Sequence, residues 1–177
     1  MSAPRFADGL HLVVKRDCPT CTLLQPVYAQ LVAAGVPLTI YTQDDPAFPL
    51  PTAVDDRELA ASYHLAIDTI PTLIAFADGV ETGRTVGWQR AAWQALTGVE
   101  ALGDGLPATR PGCGALNVLP GIVERLHVRY GNSGMTARSI AVDPLSDPVE
   151  VAYERGWSDG LPVVPPTPER VWRMLQG

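Results

Sequence analysis

A chain of 177 residues with a formal charge of −6 suits one ordinary domain carrying an appendage, or two small domains. The acidic balance argues against a nucleic-acid footprint and against an anionic membrane surface. With 46% apolar residues a core needs no disulfide stapling, and three cysteines, an odd number, do not suggest a disulfide framework.

The predicted elements begin with Leu10–Val14, "LHLVV", read as a buried strand. From Pro19 the apolar residues Leu23, Leu24, Val27, Tyr28, Leu31 and Val32 follow helical spacing, with Gly35 as a stop. Val36–Thr42 reads as a second strand, and "QDDPAFPLPTAVDD" as a proline-rich loop in which Asp55 or Asp56 caps a helix over "RELAASYHL". "PTLIAFADGVETGRTVGW" reads as two strands around an Asp78-Gly79 turn, followed by a helix from about Gln89 to Leu96. The order is β-α-β-α-β-β-α, an α/β class with a parallel first pair of strands and an antiparallel hairpin.

After Gly98 the chain changes character. "GDGLPATRPGCG" is a turn-rich connection, "GIVERLHVRYG" a short helix or strand, and "ARSIAVD" a strand. "DPVEVAYERGW" reads as helical, "SDGLPVVPPTPE" as extended, and a last helix starts at Pro168. The expected division is therefore 1–98 and a C-terminal extension, 99–177, which is mixed, partly irregular and the candidate start of a further domain. The extension is expected to be ordered against the first unit. Leu116, Val118, Ile122, Val123, Leu126, Ile140, Val142 and Trp157 are too apolar to leave in water.

The chemistry concentrates in "CPTC". A Cys-x-x-Cys that opens a helix places its first cysteine where unpaired N–H groups and the helix dipole favour a thiolate, the species that attacks disulfides. The second cysteine, one turn on, can resolve the mixed disulfide. Cys18 is thus the candidate nucleophile and Cys21 the resolving thiol, with Lys15 and Arg16 adding positive charge and Asp17 opposing it. Pro19 suits the first helical turn. A structural zinc site would need a second ligand pair, which His11, His64 and His127 do not supply by spacing, so no metal and no cofactor is expected.

"CPTCTLLQPVYAQL" resembles the active-site helix of the thioredoxin superfamily, including Pro26, five residues after the second cysteine. "YHLAIDTIPTLIAFADGVETGRTVGW" resembles the segment of that family with an Ile-Pro-Thr turn, a strand, a glycine hairpin and a strand ending in Val-Gly. The resemblance covers about residues 8–98 and implies a thioredoxin-like fold. It further implies that Pro71 is cis, beside the active-site cysteines, and that the Ile70 backbone pairs with an extended substrate. Pro19, Thr20, Ile70 and Pro71 are then the substrate-binding residues. The chain departs from the family in having Asp17 where thioredoxins carry tryptophan, and in lacking the buried acid of their first core strand. The Pro-Thr dipeptide and the compact approach to Cys18 are closer to glutaredoxins.

Cys113, in "RPGCG", is set in expected flexible, exposed backbone and is either a third redox thiol that exchanges with Cys18 and Cys21, charged by Arg110, or an idle loop cysteine. The tail "ERGWSDGLPVVPPTPERVWRML" resembles the opening of bacterial proteins related to the selenoprotein group named for its U-G-S-C motif. Residues 154–177 either dock a partner domain or wrap their own, with Trp157 and Trp172 as anchors. Asp44-Asp45 and Asp55-Asp56 read as solvated loop and cap acids, His64 as a packing or surface residue, and Trp88 and Trp93 as packing on the last strand and helix.

The function expected is that of a thiol–disulfide oxidoreductase, acting on a disulfide-containing protein or small molecule. A thiol reductase or low-molecular-weight thiol would be the electron donor, and neither nucleic acid nor membrane a partner. The alternatives are a thioredoxin-like binding or scaffold domain, and a carrier of a soft metal or chalcogen species. No apolar run reaches the ~20 residues of a membrane span. The N-terminal "MSAPRFADGL" lacks the pattern of a secretory leader, so a cytoplasmic location is expected.

Overall fold

The computed structural model describes residues 4–177 as a mixed α/β molecule with a central mixed sheet. The first strand, β1 (Gly9–Val14), is buried from Leu10 to Val14, as a central strand covered on both faces must be. Pro19 then opens α1 (Pro19–Leu23), and α2 follows as Gln25–Ala33. The single helix expected from the apolar spacing is therefore two. Pro26 has no N–H to give and its ring would crowd the carbonyl four residues back, so the chain breaks at Leu24 and Pro26 falls in the first turn of α2.

Strand β2 (Leu38–Thr42) runs parallel to β1, with Leu12 opposite Ile40. The proline-rich loop contributes a two-residue strand, β3 (Val54–Asp55), parallel to β2. Helix α3 (Ala60–His64) begins later than the sequence suggested. The Asp56 carboxylate nevertheless takes the N–H groups of Ala61 and Ser62 at 2.9 Å, so it does the capping that was expected of Asp55 or Asp56. Then come β4 (Thr69–Ile70), β5 (Thr72–Ala77), β6 (Val80–Val86), β7 (Trp88–Gln89) and α4 (Arg90–Thr97). Asp78 and Gly79 both have positive φ, 54° and 72°, the backbone a two-residue hairpin needs to follow strand twist. The sheet order is β3-β2-β1-β5-β6, with β5 antiparallel to both neighbours.

The core does not end with α4. Leu102 and Ala115 are buried in the same cluster as Leu12, Leu31, Ile70 and Trp88. Two short strands tie this later stretch down: β8 (Thr109–Arg110) pairs antiparallel with β7, and β9 (Cys113–Gly114) with β4. A 3-10 turn (Leu116–Val118) leads to α5 (Ile122–Tyr130), which packs on α3 and buries Leu126. After α6 (Pro148–Glu154), α7 (Pro168–Leu175) returns to α5, where Trp172 stacks on His127 at 4.6 Å between ring centroids and Arg173 pairs with Glu124.

Three expectations for the extension need correction. Residues 137–143 form no strand: they are exposed and lie against no sheet edge that could complete their hydrogen bonds. Val118, Ile140, Val142 and Trp157 stand in solvent, because apolar content alone does not bring a side chain to a surface that can cover it. The "RPGCG" backbone is not a free loop, since Cys113 is in β9, partly buried against the core.

Candidate functional site

The site is assembled at the carboxyl ends of the two parallel strands. Beyond β1 the chain turns through Lys15, Arg16 and Asp17. The Asp44 carboxylate, just past the end of β2, holds that turn: Arg16 N–H donates to Oδ1 at 2.7 Å and Asp17 N–H to Oδ2 at 2.8 Å. Arg16 also forms an exposed ion pair with Asp45 at 2.6 Å. The held turn delivers Cys18 to the N-cap of α1 in extended conformation, where Pro19 starts the helix.

At that N-cap the sulfur takes the place of the usual cap oxygen. The Cys21 N–H donates to Cys18 Sγ at 3.4 Å, answering one of the unpaired donors of a helix start. Hydrogen bonding from the Cys21 side chain, with further bonds from Cys113 and the N–H groups of Cys21 and Thr20, outweighs burial and lowers the Cys18 pKa to about 5. Burial pushes the Cys21 thiol up, and its bond to Cys18 adds to this. The two cysteines of one helical turn are thereby set apart, one ionised at neutral pH and one not.

Ile70 and Pro71 face this pair. The Ile70–Pro71 peptide bond is cis, both residues are buried, and Cys18 Sγ lies 3.8 Å from the Ile70 carbonyl oxygen. Thr20 is buried and its hydroxyl donates to the Pro111 carbonyl at 2.7 Å, while Pro19 is exposed at the rim. The sequence-derived site residues Cys18, Pro19, Thr20, Cys21, Ile70 and Pro71 thus come together with the third cysteine. The Cys18 and Cys113 sulfurs are 2.9 Å apart, and Cys113 is registered opposite Ile70 in the β4–β9 pair. All three cysteines are free thiols. The Cys113 thiol is raised by burial and by its bond to Cys18, opposed by the nearby Lys15 charge.

An open cleft of about 470 Å³ borders Cys18, lined among others by Arg16, Asp17, Leu23 and Arg110. Arg110 thus lines the cleft beside Cys18, while the positive charge acting on Cys113 is that of Lys15. Among the described residues no group of three or more His, Cys, Asp or Glu side chains is arranged to hold a metal ion, and no helix is long and apolar enough to cross a membrane. His64 packs edge-on to Tyr63 and against Tyr130, and Trp88 and Trp93 are buried against each other at 5.3 Å.

Sequence reasoning missed three site residues. Asp44 read as a solvated acid, Lys15 as bare charge, and Gln43 did not register. Yet Lys15 Nζ donates to the Gly114 carbonyl at 3.0 Å, and the buried Gln43 accepts the Leu116 N–H at 2.8 Å. One signal was available for Asp44 and Gln43. Parallel strands end on the same side, so the loop after the second strand must lie beside the loop that carries Cys18. Comparison of the chain with models of known protein families and with curated proteins finds no match.

Proposed function

We propose that the protein is a thiol–disulfide oxidoreductase of thioredoxin-like architecture. The observation that carries the reading is Cys18 Sγ at the head of α1, bonded by the Cys21 N–H and facing Ile70 and cis-Pro71. The sheet supports it too: a parallel β1–β2 pair continued by antiparallel β5 and β6, with the dithiol directly after the central strand.

In this mechanism the Cys18 thiolate attacks one sulfur of a substrate disulfide, forming a mixed disulfide and releasing the first substrate thiolate. Cys21 gives up its proton and attacks Cys18 Sγ. The second substrate thiolate leaves, and a Cys18–Cys21 disulfide remains. A thiol reductase or low-molecular-weight thiol returns the two electrons. The low Cys18 pKa keeps Cys18 as the thiolate at neutral pH, ready for the first attack, and favours its departure in the return step. Burial of Cys21 keeps it protonated until the mixed disulfide is in place.

The test is reduction of insulin and of a small aromatic disulfide by the reduced protein. Cys18→Ser abolishes the reaction, and Cys21→Ser stalls it after one equivalent as a mixed disulfide at Cys18. Wild-type rates in Cys18→Ser would sink the proposal.

A further inference from the structure

The edge of β4 that a bound extended substrate would pair with is already taken by the chain itself. β9 adds to it antiparallel, with Thr69 opposite Gly114 and Ile70 opposite Cys113, the way a peptide extends an exposed strand. Five further hydrogen bonds clasp the segment. Thr20 Oγ1 donates to Pro111 O at 2.7 Å, Lys15 Nζ to Gly114 O at 3.0 Å and Ala115 N–H to Asp68 O at 3.0 Å. Leu116 N–H donates to Gln43 Oε1 at 2.8 Å, and the Asn117 amide to Ile67 O. The approach is so close that only glycine fits at 112, where a Cβ would stand 2.5 Å from both the Ile70 carbonyl oxygen and Thr69 Cγ2. As a result Cys18 is only 1% exposed, and the sulfur nearest to it on this side is Cys113, at 2.9 Å.

We propose that residues 111–115 are a tethered substrate strand and that Cys113 exchanges with Cys18, making an internal Cys18–Cys113 disulfide a second oxidised form of the site. This rests on the reading of Cys18 as the nucleophile. Exchange needs no outside oxidant once the Cys18–Cys21 disulfide exists. Cys113 loses its proton and its sulfur bonds to Cys18 Sγ, the Cys18–Cys21 bond breaks, and Cys21 leaves with the electron pair and takes up a proton. One disulfide is broken and one formed. The strand holds Cys113 on the Ile70 side of Cys18, the side a substrate sulfur would occupy, so an external disulfide reaches Cys18 from this side only when this strand lifts.

The test treats the full-length Cys21→Ser variant with oxidised glutathione and maps it with trypsin under non-reducing conditions. Cys18 falls in the peptide 17–57 and Cys113 in 91–125, because the Arg110–Pro111 bond resists the enzyme. The expected product is these two peptides cross-linked within a monomer, with two glutathiones released per cross-link, one as Cys18 attacks the oxidised glutathione and one as Cys113 displaces the adduct. Wild-type protein oxidised in the same way gives the same cross-linked pair alongside the Cys18–Cys21 form. Adding Gly112→Ala shifts the Cys21→Ser product from the cross-link to a glutathione adduct on Cys18 and speeds alkylation of Cys18 severalfold. An adduct that persists on Cys18 with Cys113 free in both Cys21→Ser and wild type overturns the internal exchange and leaves the proposed oxidoreductase standing. Cys18 carrying neither adduct nor cross-link overturns both, and an undiminished cross-link in Gly112→Ala overturns the tethered strand.

Discussion

Asp44 holds Asp17 in place: its Oδ2 accepts the Asp17 N–H at 2.8 Å, while Oδ1 takes the Arg16 N–H at 2.7 Å. Two charge-assisted bonds to consecutive amides fix the turn that presents Cys18. Asp44→Ala is expected to cost about 1.5–3 kcal/mol of stability, in the range for bonds to a charged group, read from urea unfolding. It should also lower kcat for disulfide reduction more than it raises KM, with Asp44→Asn in between. An unchanged kcat with reduced stability would make Asp44 a structural residue only.

The Cys18 thiol, lowered to about 5, should alkylate with a rate that rises to a plateau through a midpoint near that pH. Cys21, raised by burial, should not react in the same range. The linkage to stability has a definite sign. An unfolded thiol ionises near ~8.5, so between about 5 and 8.5 the native state binds fewer protons at Cys18 than the unfolded state. The reduced protein therefore gains stability over Cys18→Ser as pH rises through this window, and loses the gain as pH falls through 5. Cys21 and Cys113, whose thiols are raised, act with the opposite sign only above the unfolded thiol range, so the comparison belongs below pH ~8. Urea midpoints of both proteins across this range, with reductant present, measure it. A difference that shrinks with rising pH would contradict the assignment.

Tyr28 is wholly buried beside Trp93, and its hydroxyl has no hydrogen-bond partner among the described residues. Burial, with the nearby Cys18 thiolate, raises its ionisation well above the ordinary tyrosine range. Since an unpaired buried polar group costs about 1–3 kcal/mol, Tyr28→Phe is expected to stabilise the protein by about 1 kcal/mol. Thermal unfolding decides it: a fall in Tm would show that the hydroxyl is bonded in solution.

Leu102 is fully buried in the core built by the first seven strands and four helices. Leu102→Ala should cost about 2–5 kcal/mol, as for other buried leucines. A chain ended at residue 98 should unfold at lower denaturant than the full chain. Equal midpoints for the two lengths would show that the core closes without the later stretch.

Arg138 lies in an exposed stretch with no regular structure, between α5 and α6. Limited trypsin digestion should cut there before Arg129 or Arg173, which lie in helices and form ion pairs with Glu58 and Glu124. Mass spectrometry of the first fragments checks the order.

Much of the first hundred residues was legible because the information is local. Alternation and apolar runs mark strands, the Asp78-Gly79 pair supplies the positive φ of a hairpin, and Pro19 after Cys18 marks a helix start at the sulfur. Hence Cys18 and Cys21 could be named before the fold was known, whereas Ile70 and Pro71 were named only through the resemblance to the thioredoxin superfamily. The break at Leu24 was also within reach, since Pro26 cannot sit inside a helix without removing a bond.

What tertiary structure alone decided is who stands beside Cys18. Cys113 is separated from it by 95 residues and Asp44 from Asp17 by 27. A contact at such separation depends on how intervening elements pack, and no short-range preference encodes it. The stretch from 99 to 118 carries almost no periodic pattern, so "RPGCG" looked like free loop. Its conformation comes from hydrogen bonds offered by Ile70, Thr20, Lys15, Asp68 and Gln43, all on other elements. The dithiol was determined locally by the sequence. The third thiol's place, against Ile70 and 2.9 Å from Cys18, exists only once β4, which lies outside the five-stranded sheet, offers a free edge for that segment to fill.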